Sequence, residues 1–138
     1  MATVPPGPEE PAMRYVMLIY NDVEKYDWWA SLPPEETGAE MERTLAWFRT
    51  LPEGVVVGGD ELSDPPLTRT IRRRLGQAHV TDGPFIETKE VLGGFVVLEA
   101  ESLDRAAAIA AGWPGLEQSD GRVFDHDRVE VRPVVDRP

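Results

Sequence analysis

The run Tyr15-Val16-Met17-Leu18-Ile19-Tyr20 places six apolar or aromatic residues in succession, with no polar alternation. In a β-strand neighbouring side chains leave on opposite faces, so a run of this kind needs cover on both. Shorter runs at Val55-Val56-Val57 and Phe95-Val96-Val97-Leu98 make the same demand. Only two stretches show apolar residues at helical spacing: Met41, Leu45 and Phe48 in one, and Leu103, Ala106, Ala107, Ala110 and Trp113 in the other. Two helices can cover one face of a sheet. Nothing left in the chain can cover the second face, and a second copy can, so burial alone predicts a homodimer joined through the sheet.

The elements follow in order. Residues 1–12 contain Pro5, Pro6, Pro8 and Pro11 without apolar periodicity and predict a flexible tail, which leaves 13–138 as a single domain. After the first strand, Asn21-Asp22 opens a loop holding Tyr26, Trp28 and Trp29, read as core or subunit interface, with a pocket wall as the alternative. Ser31 as a capping hydroxyl, Pro33 and Pro34 in the first turn and Glu35-Glu36 at the positive end of the dipole mark a helix start. Pro52 and Gly54 end that helix, and Val55–Val57 begins a strand running into Gly58-Gly59-Asp60-Glu61. The paired glycine reads as a tight turn or bulge, or else as the border of a ligand cleft.

Beyond the break at Asp64-Pro65-Pro66, Thr68–Arg74 and Gln77–Asp82 form two arms of a hairpin around Leu75-Gly76. Arg72, Arg73 and Arg74 suggest an anion site, but alternation sends Arg73 to the opposite face, and a solvated hairpin is expected. Gly94–Ala100 is the next strand, and Ser102 caps a second helix that Gly112 and Pro114 stop. Gly115–Phe124 is a loop; Arg128–Val135 is the last strand, with Val129 and Val131 inward and Glu130 and Arg132 outward. Strand–helix–strand, hairpin, strand–helix–strand is an α+β pattern: a ferredoxin-like split βαβ protomer with a β-hairpin insertion and an antiparallel sheet.

Charge and composition exclude several roles. A formal net charge of −11 disfavours direct nucleic-acid binding and anionic membranes. No stretch approaches the ~20 apolar residues of a membrane helix. With no cysteine there are no disulfides and no thiolate metal sites. The start lacks the basic-then-apolar pattern of a secretion signal, so a cytoplasmic location is expected. No phosphate loop, dinucleotide fingerprint or nucleophile elbow occurs, and no cofactor is expected. Asp125-His126-Asp127 resembles a metal trio, but adjacent side chains point in different directions and the spacing fits no standard site.

The densest chemistry lies in Thr81-Asp82-Gly83-Pro84-Phe85-Ile86-Glu87-Thr88-Lys89-Glu90-Val91-Leu92-Gly93-Gly94-Phe95. Asp82-Gly83 is a turn signal, Pro84 fixes the exit direction, and Phe85 is an apolar anchor after the kink. Glu87 and Lys89 share a face of an extended segment, whereas Glu87 and Glu90 are neighbours in a coiled one. Gly93-Gly94 admits another backbone or a ligand where a side chain would block it. The plainer alternative is that Asp82 caps its own turn and Lys89 pairs with Glu87 or Glu90 at the surface.

The motif Asp82-Gly83-Pro84-Phe85, followed by Glu87-Thr88-Lys89-Glu90 and Gly93-Gly94-Phe95, resembles the signature of the DGPF branch of the YCII-related family. The likeness extends to Arg14–Tyr20 and Val129–Val134, nearly the whole chain beyond the first dozen residues. Leu75 departs from it, since a more turn-like residue usually precedes Gly76. The resemblance implies a dimeric α/β barrel, built from two ferredoxin-like protomers. Some members are thought to use a His with an Asp. Neither His79 nor His126 falls inside the matched motif, so the resemblance assigns that role to neither. Members also occur alongside alternative sigma factors.

Two functional expectations result. One is a cofactor-independent enzyme that transfers protons on a small organic molecule, of isomerase or lyase type. Asp82 would be its base or ligand-orienting carboxylate, Lys89 and Glu87 would assist, and Tyr20, Phe85, Glu90 and Gly94 would line the ligand site. The other is a non-catalytic ligand-binding or regulatory dimer. A structural dimer whose motif only shapes a loop is the bland third.

Overall fold

A computed structural model describes residues 12–84 and 88–137. The expected tail other than Ala12, and the motif residues Phe85, Ile86 and Glu87, lie outside the described residues. The sheet forms from β1 (Met13–Asp22), β2 (Val56–Glu61), β5 (Glu90–Ala100) and β6 (Arg128–Pro133), in the antiparallel order β2-β5-β1-β6. That order is ferredoxin-like: the first and third strands of the sheet are central, and the second and fourth lie at its edges. A separate two-stranded hairpin joins β3 (Arg69–Arg74) to β4 (Gln77–Asp82).

The six-residue apolar run sits at the centre of β1, where it pairs with β5 on one side and β6 on the other. Alternation divides it. Tyr15, Met17 and Ile19 are buried, and Met17 and Ile19 pack with Val96 and Leu98 of β5. Complete burial of Met17 and Leu98 contributes about 2–3 kcal/mol each. Helices α2 (Pro34–Thr50) and α3 (Leu103–Ala110) cover this face through Trp47, Phe48 and Ile109. Edge-to-face contacts of Trp47 with Phe48 (5.0 Å) and with Trp113 (5.2 Å) close the layer. Val16, Leu18 and Tyr20 leave on the opposite face beside Phe95 and Val97, all only partly buried and none in the core.

Several expectations need correction. The aromatic stretch after Asp22 is not a loop but a helix, α1 (Val23–Ser31), because the Asp22 carboxylate accepts the Glu24 N–H at 2.9 Å and caps it. Ser31 therefore ends α1, donating to the Trp28 carbonyl, while Pro33 stands at the cap of α2 without a side-chain bond. The stripe of α2 is also rotated from the expected one. Met41 and Leu45 are exposed, whereas Glu40, Trp47, Phe48 and Leu51 turn inward. The cause is Glu40, a carboxylate buried because Arg43 and the Ser119 backbone and hydroxyl bond it. In α3 the buried residues are Ala106, Ile109 and Ala110; Leu103 and Ala107 are exposed, and Trp113 lies past the helix end. The Ser102 hydroxyl caps α3 through the Arg105 N–H at 3.0 Å, as its position implied.

β2 is bulged at Val57, immediately before the Gly58-Gly59 pair, where the register to β5 shifts between Val56 and Gly58; both glycines are paired regularly, opposite Val97 and Val96. Gly59 has φ +139°, and a Cβ there would stand 2.9 Å from the Val96 Cα, inside the neighbouring backbone. Gly59→Ala is therefore expected to cost roughly 2–4 kcal/mol. Urea unfolding monitored by circular dichroism measures this as a lower midpoint, and an unchanged midpoint would show that the strand can relax there.

Candidate functional site

β1 and β5 slip by one residue between Ile19 and Tyr20, so Ile19 faces Gly94 while Tyr20 faces Leu92. Gly93 is the residue skipped, and a Cβ on it would strike the Asn21 amide and lie 3.1 Å from the Tyr26 hydroxyl. The motif's paired glycines thus admit two neighbours. Gly93 makes room for Asn21, which donates to Tyr26 at 3.3 Å, and Gly94 makes room for the Asp60 carbonyl of β2. This slip sets the pairing of the last residues of β1, with Asp22 opposite Glu90.

Asp22 is where three segments meet. One carboxylate oxygen caps α1; the other accepts both the backbone N–H of His126 (3.2 Å) and its ring Nδ1 (2.9 Å). Asp127 returns the contact, accepting the Asp22 N–H at 2.8 Å and pairing with Lys25 at 2.9 Å. Lys25 also donates to the Gly115 carbonyl. Burial by itself pushes the Asp22 carboxyl pKa up. The Glu24 N–H, the ring and backbone of His126 and the charge of a protonated imidazole outweigh it, and hold the pKa below its ordinary value. With Asp22 ionised, the proton of a neutral His126 resides on Nδ1. Nε2 then carries a lone pair with no partner among the described residues, on a side chain 42% exposed.

Alternation along β1 puts Tyr20 on the same side of the strand as Asp22. The Arg128 guanidinium lies 4.2 Å above the Tyr20 ring and pairs with Glu90 at 2.6 Å and Glu130 at 3.1 Å. Tyr26 of α1, bonded by Asn21, has its pKa raised by burial against that opposing bond, and raised further by the charges of Asp64, Glu61 and Asp127.

Of the residues singled out in the sequence, Tyr20 and Glu90 are joined through Arg128, and Gly94 lies buried beneath the β2 backbone. β5 begins at Glu90 rather than Gly94, so Glu90 belongs to the sheet and pairs with Arg128, not with Lys89. The Asp82 side chain is 88% exposed and paired with Arg69 at 3.1 Å. Lys89 is exposed, and among the described residues only its carbonyl is engaged, by the Val23 N–H. Neither side chain bonds the Asp22 cluster in the single chain. Phe85 and Glu87 lie outside the described residues. His79 projects from the hairpin across from Arg72. Among the described residues no group of side chains could hold a metal ion. His126 and Asp127 do face different partners, as adjacency required. What the sequence reading missed is the Asp22–His126 dyad, because 104 residues separate its members. Its one local signal was the Asp before an acidic first turn, which is a helix cap.

The YCII-related domain model matches residues 13–134. An uncharacterized protein of Rhizobium meliloti (strain 1021) is 33% identical over 124 residues, covering 89% of this chain and 93% of that protein. Among the described residues no helix is long and apolar enough to cross a membrane.

The depressed Asp22 pKa has a pH signature. The carboxylate's contribution to stability is complete above its unfolded pKa of about 3.9 and is lost as pH falls through the lower folded value. Asp22→Asn keeps a capping acceptor but removes the charge, so the variant should be about 1–2 kcal/mol less stable at pH 7. The gap to the wild type should shrink as pH drops below about 4. Thermal melts from pH 7 to pH 3 measure this, and a gap independent of pH would contradict it.

Proposed function

The chain belongs to the YCII-related family, and on that premise we propose that it is a homodimer that moves a proton on a small organic molecule with His126 as base. The observation carrying this reading is the bond from His126 Nδ1 to a buried carboxylate, which leaves Nε2 open. An imidazole oriented and polarised by Asp22 can take a proton from a carbon next to a carbonyl. The C–H bond breaks, an N–H bond forms at Nε2, and the electron pair moves to the carbonyl oxygen. The hydroxyl of Tyr20, free among the described residues, is the donor for that oxygen. Returning the proton to another carbon gives an isomerase; expelling a leaving group gives a lyase. No cofactor enters either step.

In this reading the base is His126 rather than Asp82, whose carboxylate is exposed and paired with Arg69. Lys89, exposed and without a side-chain partner among the described residues, supplies charge for an anionic ligand group. The partly buried row of Val16, Leu18, Phe95 and Val97 supports dimerisation through the open face, and the position of Tyr20 at the end of that row supports a site at the rim of the dimer contact. The Asp82-Gly83-Pro84-Phe85 motif supports the DGPF branch within that family, and a cytoplasmic location is part of the same reading.

A second reading has its own support. Both oxygens of Asp22 also bind backbone N–H groups, so the dyad can serve purely to pin the loop before β6. The protein is then a ligand-binding or regulatory dimer without turnover.

Deuterium exchange at acidic C–H positions separates the two. A panel of small keto acids and lactones in D2O, followed by proton NMR, is expected to include a compound whose exchange the protein accelerates. His126→Gln should slow that exchange by about 100-fold or more. Exchange untouched by the substitution, or no exchange of any compound, favours the second reading. Sedimentation is expected to show a dimer, and Leu18→Lys a folded monomer; a monomeric wild type removes the assembly from the proposal.

A further inference from the structure

The β3–β4 hairpin is the part of the chain that its own fold accounts for least. Every residue from Ile71 to Asp82 is exposed. Two antiparallel strands without a third, or a helix behind them, are marginal in water at best. The pair Ile71 and Val80 stands directly opposed in register on one face, 67% and 61% exposed. At the tip, Leu75 is 97% exposed and has φ +51°, followed by Gly76 at +78°. Two successive positive φ values are the tight hairpin turn that Asn, Asp or Gly forms without strain. A leucine there is unfavourable for the turn and equally unfavourable for the solvent it faces. Local structure gives no reason for it.

Charge supplies the direction. Residues 69–82 hold four arginines and one aspartate, a net +3, within a chain of net −11, so the remaining residues carry −14. Arg73 bonds only the Gly76 carbonyl of its own turn, and Arg74 has no partner among the described residues. Acids outside the hairpin are left over in turn: Asp60 and Glu61 on the edge strand β2 are exposed and form no ion pair among the described residues.

We infer that the β3–β4 hairpin is an arm that reaches onto the acidic surface of a second copy of this chain, burying Leu75 and the Ile71–Val80 pair with Arg73 and Arg74 at the rim. The inference rests on the homodimer proposed above and adds a second contact, outside the sheet. It also accounts for the strained leucine: a residue that weakens the isolated turn strengthens the assembly. A polyanion such as nucleic acid is the competing occupant, and the apolar tip and paired Ile71 and Val80 favour a protein surface instead.

Sedimentation equilibrium of the full chain, over a series of salt concentrations, tests the arm with two variants. Leu75→Asn installs the better turn residue, so a purely local role predicts an equal or tighter dimer. The arm predicts a dimer weakened by about tenfold or more. Arg73→Glu with Arg74→Glu should weaken it comparably and should also flatten the salt dependence seen in the wild type. A dimeric wild type with both variants unchanged overturns the arm and leaves the sheet dimer standing. A monomeric wild type overturns both. Binding of a short DNA duplex that the arginine variant loses, with dimerisation intact, overturns the arm in favour of the polyanion.

Discussion

The end of β1 and the segment His126-Asp127 exchange hydrogen bonds across more than a hundred residues of chain, and the closure of the loop before β6 follows from that exchange. Asp22 accepts from the backbone and ring of His126, and Asp127 accepts from the backbone of Asp22. Neither carboxylate can be left unpaired at this depth, so each fixes the other's segment. The end of β1, the start of α1 and the entry to β6 are thereby held together, and Lys25 ties in the Gly115 carbonyl. Glu40 does the same one layer away, linking α2 to Ser119 and, through Arg43, to the carbonyls of Pro114 and Glu117. Burial raises the Glu40 pKa and the bonds from Ser119 and Arg43 more than reverse it, as at Asp22. The long connection before the last strand is ordered by these buried acids together with the packing of Phe124 on Trp28 and of Trp113 on Trp47.

The sheet divides the labour. Its helix-covered face contains Met17, Ile19, Val96 and Leu98 and accounts for the folding of the protomer. Its other face carries a second apolar row that the protomer leaves only partly covered, and the Tyr20–Arg128–Glu90 group stands at the end of that row. The one-residue slip at Gly93 links the two faces. It makes space for Asn21 and Tyr26 on one side and sets Asp22 opposite Glu90 on the other. A glycine whose missing side chain makes room for its neighbours is therefore as much a part of the site as the titratable groups.

Strands and hairpin were legible because their signals are local. The apolar runs, the Leu75-Gly76 turn and the Ser102 cap each depend on a few adjacent residues, and each lies where pattern put it. Errors arose where a polar residue competed with pattern. Glu40 turned α2 away from Met41 and Leu45, and Asp22 made a helix of a stretch whose three aromatics read as a loop. The motif at Asp82–Glu90 drew attention for its density of charge, yet density says nothing about depth. Asp82 stands in solvent while Glu90, eight residues on, is in the sheet.

By itself the sequence determined the order of the strands and of the two covering helices, the ferredoxin-like arrangement and the presence of an apolar face in excess of what two helices cover. These follow from side-chain periodicity, which acts between neighbours in the chain. Only the tertiary structure decided which carboxylates are buried and which imidazole they hold. Asp22 and His126 are brought together by strand register and loop closure, and no spacing along the chain encodes a contact of that kind.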